Sequence, residues 1–399
     1  MHPAKELYGT LSTKLENKRI LLAITGSIAA VNTIQLAREL IRHSADVIPI
    51  MTPNAQKIIH PDAIEFATGH KPITTLTGQT EHVTYCGLGQ NPVDLLLISP
   101  CTANTLSKII HGIDDTPVTT FATTAIGSQI PILLVPAMHL AMYQHQILQK
   151  NIKECKQNGI HILSPNITKN KAKMPTTTQI TTEILKLLGP NDLTNQKILI
   201  IGGTTAEPID TVRILTTRSS GNTAISLTNS AYERNAQINL WSGNIHQSPP
   251  TEIQHTQFTT YNELNKLIET TNLSKFTAII LCAAIADYTP EYTNGKIPSG
   301  KKSLQITLKP TSKIIQKIKK KAPKTKIIAY KLEPTKKNLK DKTTTLQRKY
   351  NLHLAIGNTI ETLGKNENNI VIINSNGTSN NLSGTKNYLS NIILDTLKE

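Results

Sequence analysis

The feature that most limits the folds open to this chain is an opening that occurs twice. Lys18-Arg19-Ile20-Leu21-Leu22-Ala23-Ile24 runs into Thr25-Gly26-Ser27-Ile28-Ala29-Ala30, and Lys197-Ile198-Leu199-Ile200-Ile201 runs into Gly202-Gly203-Thr204-Thr205. In each, a short aliphatic run meets small residues. That is how a buried parallel strand turns toward a helix and offers backbone N–H groups to a phosphate. Neither copy carries a full dinucleotide fingerprint. Two such openings at domain-sized spacing within 399 residues imply two α/β domains, each with its own core and a nucleotide-like ligand.

Apolar residues make up 38% of the chain and aromatics only 4%, so the cores must be aliphatic. No apolar run reaches the ~18 residues of a membrane span. Met1 to Lys18 mixes charges without a continuous apolar segment, so neither secretion nor a membrane partner is expected. Cys86, Cys101, Cys155 and Cys282 form no CxxC pair and no metal-ligand spacing, which is the usage of reduced thiols in a cytoplasmic protein. Cys155, on a helix-like segment, reads as buried packing.

A net charge of +16 raises nucleic acid as a partner. Seven lysines lie between Lys313 and Lys326, and Ile314, Ile315, Ile318 and Ala322 recur among them at helical spacing. The stretch therefore reads as one amphipathic helix with a solvated basic face, with attraction of a phosphorylated small ligand as the second reading. Few aromatics are interleaved and no nucleic-acid motif is present, so nucleic acid is not expected as a partner.

Along the chain, Ile20–Ile24, Val47–Met51, Leu95–Ser99 and Ile132–Val135 read as buried strands, with amphipathic stretches such as Asn32–His43 between them. A boundary falls at Leu188-Gly189-Pro190-Asn191-Asp192, dividing residues 1–188 from 189–399. The pattern restarts with Ile198–Ile201, Ile238–Trp241, Ala278–Ala283, Ile327–Tyr330, Leu354–Ile356 and Ile370–Ile373. The expected fold is α/β: two doubly wound, mainly parallel, Rossmann-like sheets with sites at the carboxyl ends of the strands.

The sharpest local signal is Asp94 to Thr105, where Leu95–Ser99 meets Pro100-Cys101-Thr102-Ala103-Asn104-Thr105. A strand ends in a Pro turn, and small hydroxyl and amide residues open a helix able to face an anion. Gly26-Ser27-Ile28-Ala29-Ala30, His82-Val83, this Pro100–Thr105 segment and Pro136-Ala137-Met138 follow in one order. Together they resemble the homo-oligomeric flavin-containing cysteine decarboxylases. The second half carries Gly202-Gly203-Thr204-Thr205-Ala206-Glu207-Pro208-Ile209-Asp210, Val212-Arg213, Arg218-Ser219-Ser220-Gly221, Ala283-Ala284-Ile285-Ala286-Asp287-Tyr288 and Gly295-Lys296-Ile297. That series resembles phosphopantothenate–cysteine ligase, and the two in this order resemble the bifunctional coenzyme A biosynthesis family, in an archaeal-type version.

The resemblance implies a flavodoxin-like FMN domain followed by a ligase domain that uses CTP and Mg²⁺. Substrates would be 4′-phosphopantothenate, cysteine and CTP, joined through an acyl-cytidylate and then decarboxylated to 4′-phosphopantetheine. It also implies a homo-oligomer, with trimers through the flavin domain, dimers through the ligase domain and a dodecamer from both. Residue by residue, it gives His82 a catalytic role beside the flavin, and Gly26, Ser27, Thr52, Thr102 and Asn104 the flavin pocket. Met138 would contact substrate, and His139 stands where many members have Asn, with an imidazole that can still donate to a carboxylate. In the ligase half, Asp287, Lys296, Ser312, Lys313, Ile314, Ile315, Tyr330 and Lys349 would bind the nucleotide, and Asn358 matches the family's Ala-Asn-Asp segment after a strand. Arg213 would handle phosphopantothenate and the activated intermediate, and Lys296 would act on phosphates.

Three departures bear on activity. The stretch from Ile162 to Thr178 contains no cysteine where many members carry one as proton donor in a flap. Thr217 replaces an asparagine before the Ser-Ser-Gly run, and Asn222-Thr223-Ala224 replaces Lys-Met-Gly after it. A decarboxylase with a degenerate ligase domain, and a non-catalytic flavoprotein regulator, are therefore the rival readings. Gly295 to Lys302 nearly spells a P-loop, but Lys302 stands where Ser or Thr must hold Mg²⁺, and the stretch comes too late to follow its domain's first strand.

Overall fold

The computed structural model describes residues 2–168, 170–250, 252–300 and 302–398; Lys169 of the flap stretch and Lys301 of the near-P-loop lie outside them. The chain divides into two units, Met1–Gly189 and Pro190–Glu399.

In the first unit the aliphatic runs become β1 (Arg19–Ile24), β2 (Asp46–Met51), β3 (Leu95–Cys101), β4 (Ile132–Pro136) and β5 (His161–Ile162). They form one parallel sheet in the order β2-β1-β3-β4-β5. Every residue of β3 and β4 is buried, which is why these strands read as continuous apolar runs and not as alternation. Ile20, Leu22 and Ile24 face a cluster that includes helices Thr33–Arg42 and Thr177–Leu187, while Leu21 and Ala23 face one that includes Pro117–Gly127 and Gln146–Gln157. Truncating one of these buried leucines, such as Leu97, costs about 2–5 kcal/mol. The strand order reverses at β1 and β3, so their carboxyl ends frame the crevice where ligands enter such sheets.

The second unit repeats the plan with β6 (Lys197–Gly202), β7 (Gln237–Ser242), β8 (Gln254–Gln257), β9 (Ala278–Leu281), β10 (Lys326–Glu333), β11 (Leu354–Thr359), β12 (Glu367–Asn374) and β13 (Ser379–Thr385). The order is β8-β7-β6-β9-β10-β11-β12-β13. β8 to β11 are parallel neighbours, and β12 and β13 return antiparallel. Its switch point lies between β6 and β9.

The basic stretch differs from expectation. Its helix spans only Ile314–Lys321 and ends at Ala322, and Lys326 already begins β10. Pro323 is the reason, since it restricts the residue before it and cannot continue the helix. Nor is the basic face wholly given to solvent. Lys321 Nζ donates to the carbonyls of Ile268, Glu269 and Thr271 at 2.9, 2.6 and 3.2 Å, closing the carboxyl end of helix Tyr261–Thr270.

Candidate functional site

Three helical segments start at the carboxyl edge of β1, β2 and β3, each capped by a hydroxyl. Ser27 accepts from Ala29 N, Thr52 from Ala55 N and Thr102 from Thr105 N. The buried Thr25 hydroxyl joins two of these turns, donating to Pro100 O at 2.7 Å and accepting from Thr102 N at 3.1 Å. Ser27 Oγ reaches Ala137 O at 3.3 Å, and Thr52 N donates to Ile24 O at 3.1 Å. Gly26 allows the close approach, because a Cβ there would stand 2.6 Å from Asn54 Cβ. The structure thus gathers Gly26, Ser27, Thr52 and Thr102 on one edge, with Asn104 exposed in the first turn beyond Thr102.

His82 lies on helix Glu81–Cys86, half-buried, edge-to-face on Phe121 with ring centroids 6.4 Å apart. Its Nδ1 is buried and without a partner among the described residues. An unpaired buried polar atom costs about 1–3 kcal/mol, which a bound ligand can recover.

After β4, Met138–His139 forms a short strand that pairs antiparallel with Lys171–Lys173, which pairs in turn with Asn166–Thr168. The cysteine-free flap stretch is therefore a hairpin docked on the Pro136-Ala137-Met138 segment. Ala172 is buried, while Lys171 and Lys173 are exposed. His139 Nδ1 accepts from Ala141 N at 3.2 Å and caps Leu140–Tyr143. The neutral ring then carries its proton on Nε2, which remains a donor. Cys155 is fully buried, its thiol pushed up to about 11 by burial, as Cys86 is to about 12. Cys155 is thus packing, and neither thiol is an acid of useful strength.

In the second unit a cavity of about 480 Å³ opens at the carboxyl ends of β9 and β10. Asp287, Ser312, Lys313, Ile314, Ile315, Tyr330 and Lys349 all line it. Lys313 Nζ bonds Asp287 at 2.5 Å, and Lys349 Nζ sits 5.4 Å from the Tyr350 ring centroid. Burial raises the Tyr330 phenol well above its ordinary value. Sequence reading missed Glu333, a buried cavity acid bonded to Lys342 at 2.5 Å and Lys331 at 3.1 Å. The Lys342 hydrogen bond, outweighing burial, holds its carboxyl below the usual range. A usable signal existed: Lys342, Thr345, Leu346 and Lys349 share one face of helix Leu339–Tyr350.

Lys296 and Arg213 are not among the cavity-lining residues. Buried Asp210 accepts from Val212 N at 2.8 Å, Arg213 N at 2.6 Å and Ile297 N at 3.0 Å, and pairs with the Arg213 guanidinium. Burial works to raise the Asp210 carboxyl, but these donors outweigh it and hold it well below its ordinary value. Arg213 Nη1 also donates to Ile297 O at 3.2 Å, latching the turn after Pro208 to the segment that bears exposed Lys296.

Both halves match known families: the Flavoprotein family over residues 9–189 and the DNA/pantothenate metabolism flavoprotein C-terminal domain over 193–399. The coenzyme A biosynthesis bifunctional protein CoaBC of Thermococcus kodakarensis is 38% identical over 378 residues, covering 94% of this chain and 93% of its own. The protein of the same name from Methanocaldococcus jannaschii is 35% identical over 407 residues, covering 100% and 98%. The crystal structure of the DNA/pantothenate metabolism flavoprotein from Streptococcus pneumoniae is 22% identical with a TM-score of 0.46, covering 51% of this chain and 98% of its own. With relatives matched from end to end and a family model on each half, the chain belongs to the coenzyme A biosynthesis bifunctional protein family.

Proposed function

We propose that residues 189–399 ligate cysteine to 4′-phosphopantothenate with CTP and that residues 1–188 decarboxylate the product to 4′-phosphopantetheine. In the ligase reaction the substrate carboxylate attacks the α-phosphorus of CTP, pyrophosphate leaves, and an acyl-cytidylate forms. The amine of cysteine then attacks the acyl carbon and CMP leaves. The observation that carries this reading is the convergence of Asp287, Ser312, Lys313, Tyr330 and Lys349 in one cavity. Lysines there neutralise the charge that develops on the phosphates. They enter the reaction by exchanging Asp287 and Glu333 for phosphate oxygens. Mg²⁺, bound with the triphosphate, would supply further neutralisation of the phosphate charge beside Lys313 and Lys349.

The edge of β1 to β4 fits FMN. It offers hydroxyls and backbone N–H groups at helix starts, and helix Glu81–Cys86 adds the unpaired His82 Nδ1. Gly26, Ser27, Thr52, Thr102 and Asn104 would hold the cofactor. FMN supplies, when bound, the reversible two-electron chemistry that no side chain has. His82 orients the substrate carboxylate or moves a proton at its unpaired nitrogen. His139 donates from Nε2 to the same carboxylate, and the 166–173 hairpin covers the site. Lys171 and Lys173 are the described ionisable groups of that hairpin and take the place of the missing thiol as proton donors.

A cytoplasmic homo-oligomer, trimeric through the first unit and dimeric through the second, completes the reading. Among the described residues no helix is long and apolar enough to cross a membrane.

Mass spectrometry of a reaction with 4′-phosphopantothenate, cysteine, CTP and Mg²⁺ tests the proposal. Appearance of 4′-phosphopantetheine is expected. Accumulation of 4′-phosphopantothenoylcysteine would remove the decarboxylase half. Unchanged substrates beside protein-bound flavin would favour a degenerate ligase, a reading supported by Thr217, whose hydroxyl is held by Thr204 at 2.6 Å.

A further inference from the structure

A second, smaller cavity lies behind the Ser-Ser-Gly run of the second unit. It measures about 40 Å³, room for about three waters and so for the oxygens of one tetrahedral or carboxylate group. It is lined by the start of helix Asn222–Glu233, where Gly221 adopts φ +72° and has no side chain with which to cap the first turn. Asn222 N donates to Ser220 Oγ at 3.5 Å, and the N–H groups of Thr223 and Ala224 have no side-chain acceptor among the described residues.

Lys386, the first residue of helix Lys386–Asp395 and only 8% exposed, also lines the cavity. Its ammonium makes one hydrogen bond, to Lys365 O at 2.7 Å, and no ion pair to it is found among the described residues. Burial lowers its pKa, so an entering anion would restore the favoured charged form. Asn368, 4% exposed, also lines the cavity, and its Oδ1 is unpartnered, as is that of Asn222. A carboxamide can turn over, but either orientation leaves one buried polar atom waiting for a ligand. Turned so that its amide faces inward, each donates to an anion.

The run itself offers no cation to this cavity: Arg218 is not among its lining residues, and Asn222, Thr223 and Ala224 follow Gly221. We infer that Lys386, reaching in from the carboxyl-terminal helix, is the cation of an oxyanion-binding pocket formed with the start of helix Asn222–Glu233 and the carboxamides of Asn222 and Asn368. The inference rests on the ligase reading above. Three substrates bear a suitable group: the phosphate of 4′-phosphopantothenate, the triphosphate of CTP, and the carboxylate of cysteine.

The test measures ligase turnover, as CMP release, for the wild type, K386M, K386R and K386M/N222K, with a thermal melt of each. Activity of the wild type tests the ligase reading by itself, apart from this inference. In an active wild type, K386M is expected to raise the KM of one anionic substrate at least tenfold while kcat changes little. K386R is expected to keep most of the affinity. Asn222→Lys, which returns a cation to the same cavity from another of its lining residues, is expected to restore the K386M variant to within about threefold. Use of pantothenate in place of its phosphate ester, which would then be insensitive to K386M, assigns the pocket to the phosphate. A rise confined to CTP or to cysteine assigns it to that substrate. Unchanged KM values for all three would overturn the inference. So would a K386M loss that the second cation leaves uncorrected in a variant with wild-type melting, since a merely structural lysine behaves that way.

Discussion

At the β1–β3 edge of the first unit the joint is a neutral hydroxyl, Thr25, fully buried and bonded to two backbones. At the β9–β10 edge of the second unit the joints are ion pairs, and Asp287 and Lys313 keep 63% and 57% of their side chains exposed. A buried neutral network is fixed before a ligand arrives, and removing one atom leaves another orphaned. An exposed pair contributes only about 0–1 kcal/mol, so its lysine can change partners for a phosphate at small cost. On the proposed reading one edge would select by shape and the other by exchangeable charge.

The sharpest way to break that comparison is His82→Gln. Decarboxylation should fall roughly 10²–10⁴-fold, the usual range for a positioned acid or base, with CMP release unchanged. Loss of both activities would mean that the two edges are not independent. Next comes Lys349→Met, which on the proposed reading removes a charge-assisted contact to the nucleotide. The KM for CTP should rise roughly ten- to hundred-fold, equivalent to about 1.5–3 kcal/mol, with no shift in melting and no change in flavin content. A fall in melting instead would mean that this edge too is built on fixed contacts.

Gly26→Ala probes the shape-selected edge directly. Its Cβ would meet Asn54 Cβ at 2.6 Å, so stability should drop by about 1–3 kcal/mol and bound flavin should be lost. Adding Asn54→Gly should recover both, measured by melting and visible absorbance. If the double variant is no better than Gly26→Ala, close approach is not what the glycine provides.

Asp210 gives the smallest and most conditional effect. Its folded carboxyl lies below its unfolded value, so the stability it contributes is complete above an unfolded pKa of about 3.9 and is lost as pH falls toward the folded one. Asp210→Asn should lower the melting temperature at pH 7, and the gap from wild type should narrow between pH 4 and pH 3. A gap that stays constant to pH 3 would show that the carboxylate's charge plays no part in the latch to Arg213 and Ile297.

Much of the fold was legible because parallel strands buried on both faces leave uninterrupted aliphatic runs, as at Leu95–Ser99 and Ile198–Ile201. Strands without such burial left no trace: Gln254–Gln257 is exposed throughout and Ser379–Thr385 nearly so. The Asn166–Thr168 and Lys171–Lys173 hairpin is too short and polar to show periodicity. At the candidate sites, the resemblance pointed to Asp287 and Lys349, but Glu333 went unseen because an acid at a strand end reads as one more solvated carboxylate. Lys386 was equally silent, since a lone lysine opening a helix says nothing about what lies opposite.

By itself the sequence determined what local chemistry can dictate: two doubly wound α/β units, aliphatic cores, turns of small residues where strands meet helices, and the order of motifs that marks the family. Burial periodicity and glycine placement are written in neighbouring residues. Only the tertiary structure decided which distant side chains share a cavity. It brought Glu333 to Lys342, docked the hairpin on Met138, and set Lys386 in one cavity with Asn222. Those contacts depend on sheet order and crossover paths, which no local pattern encodes.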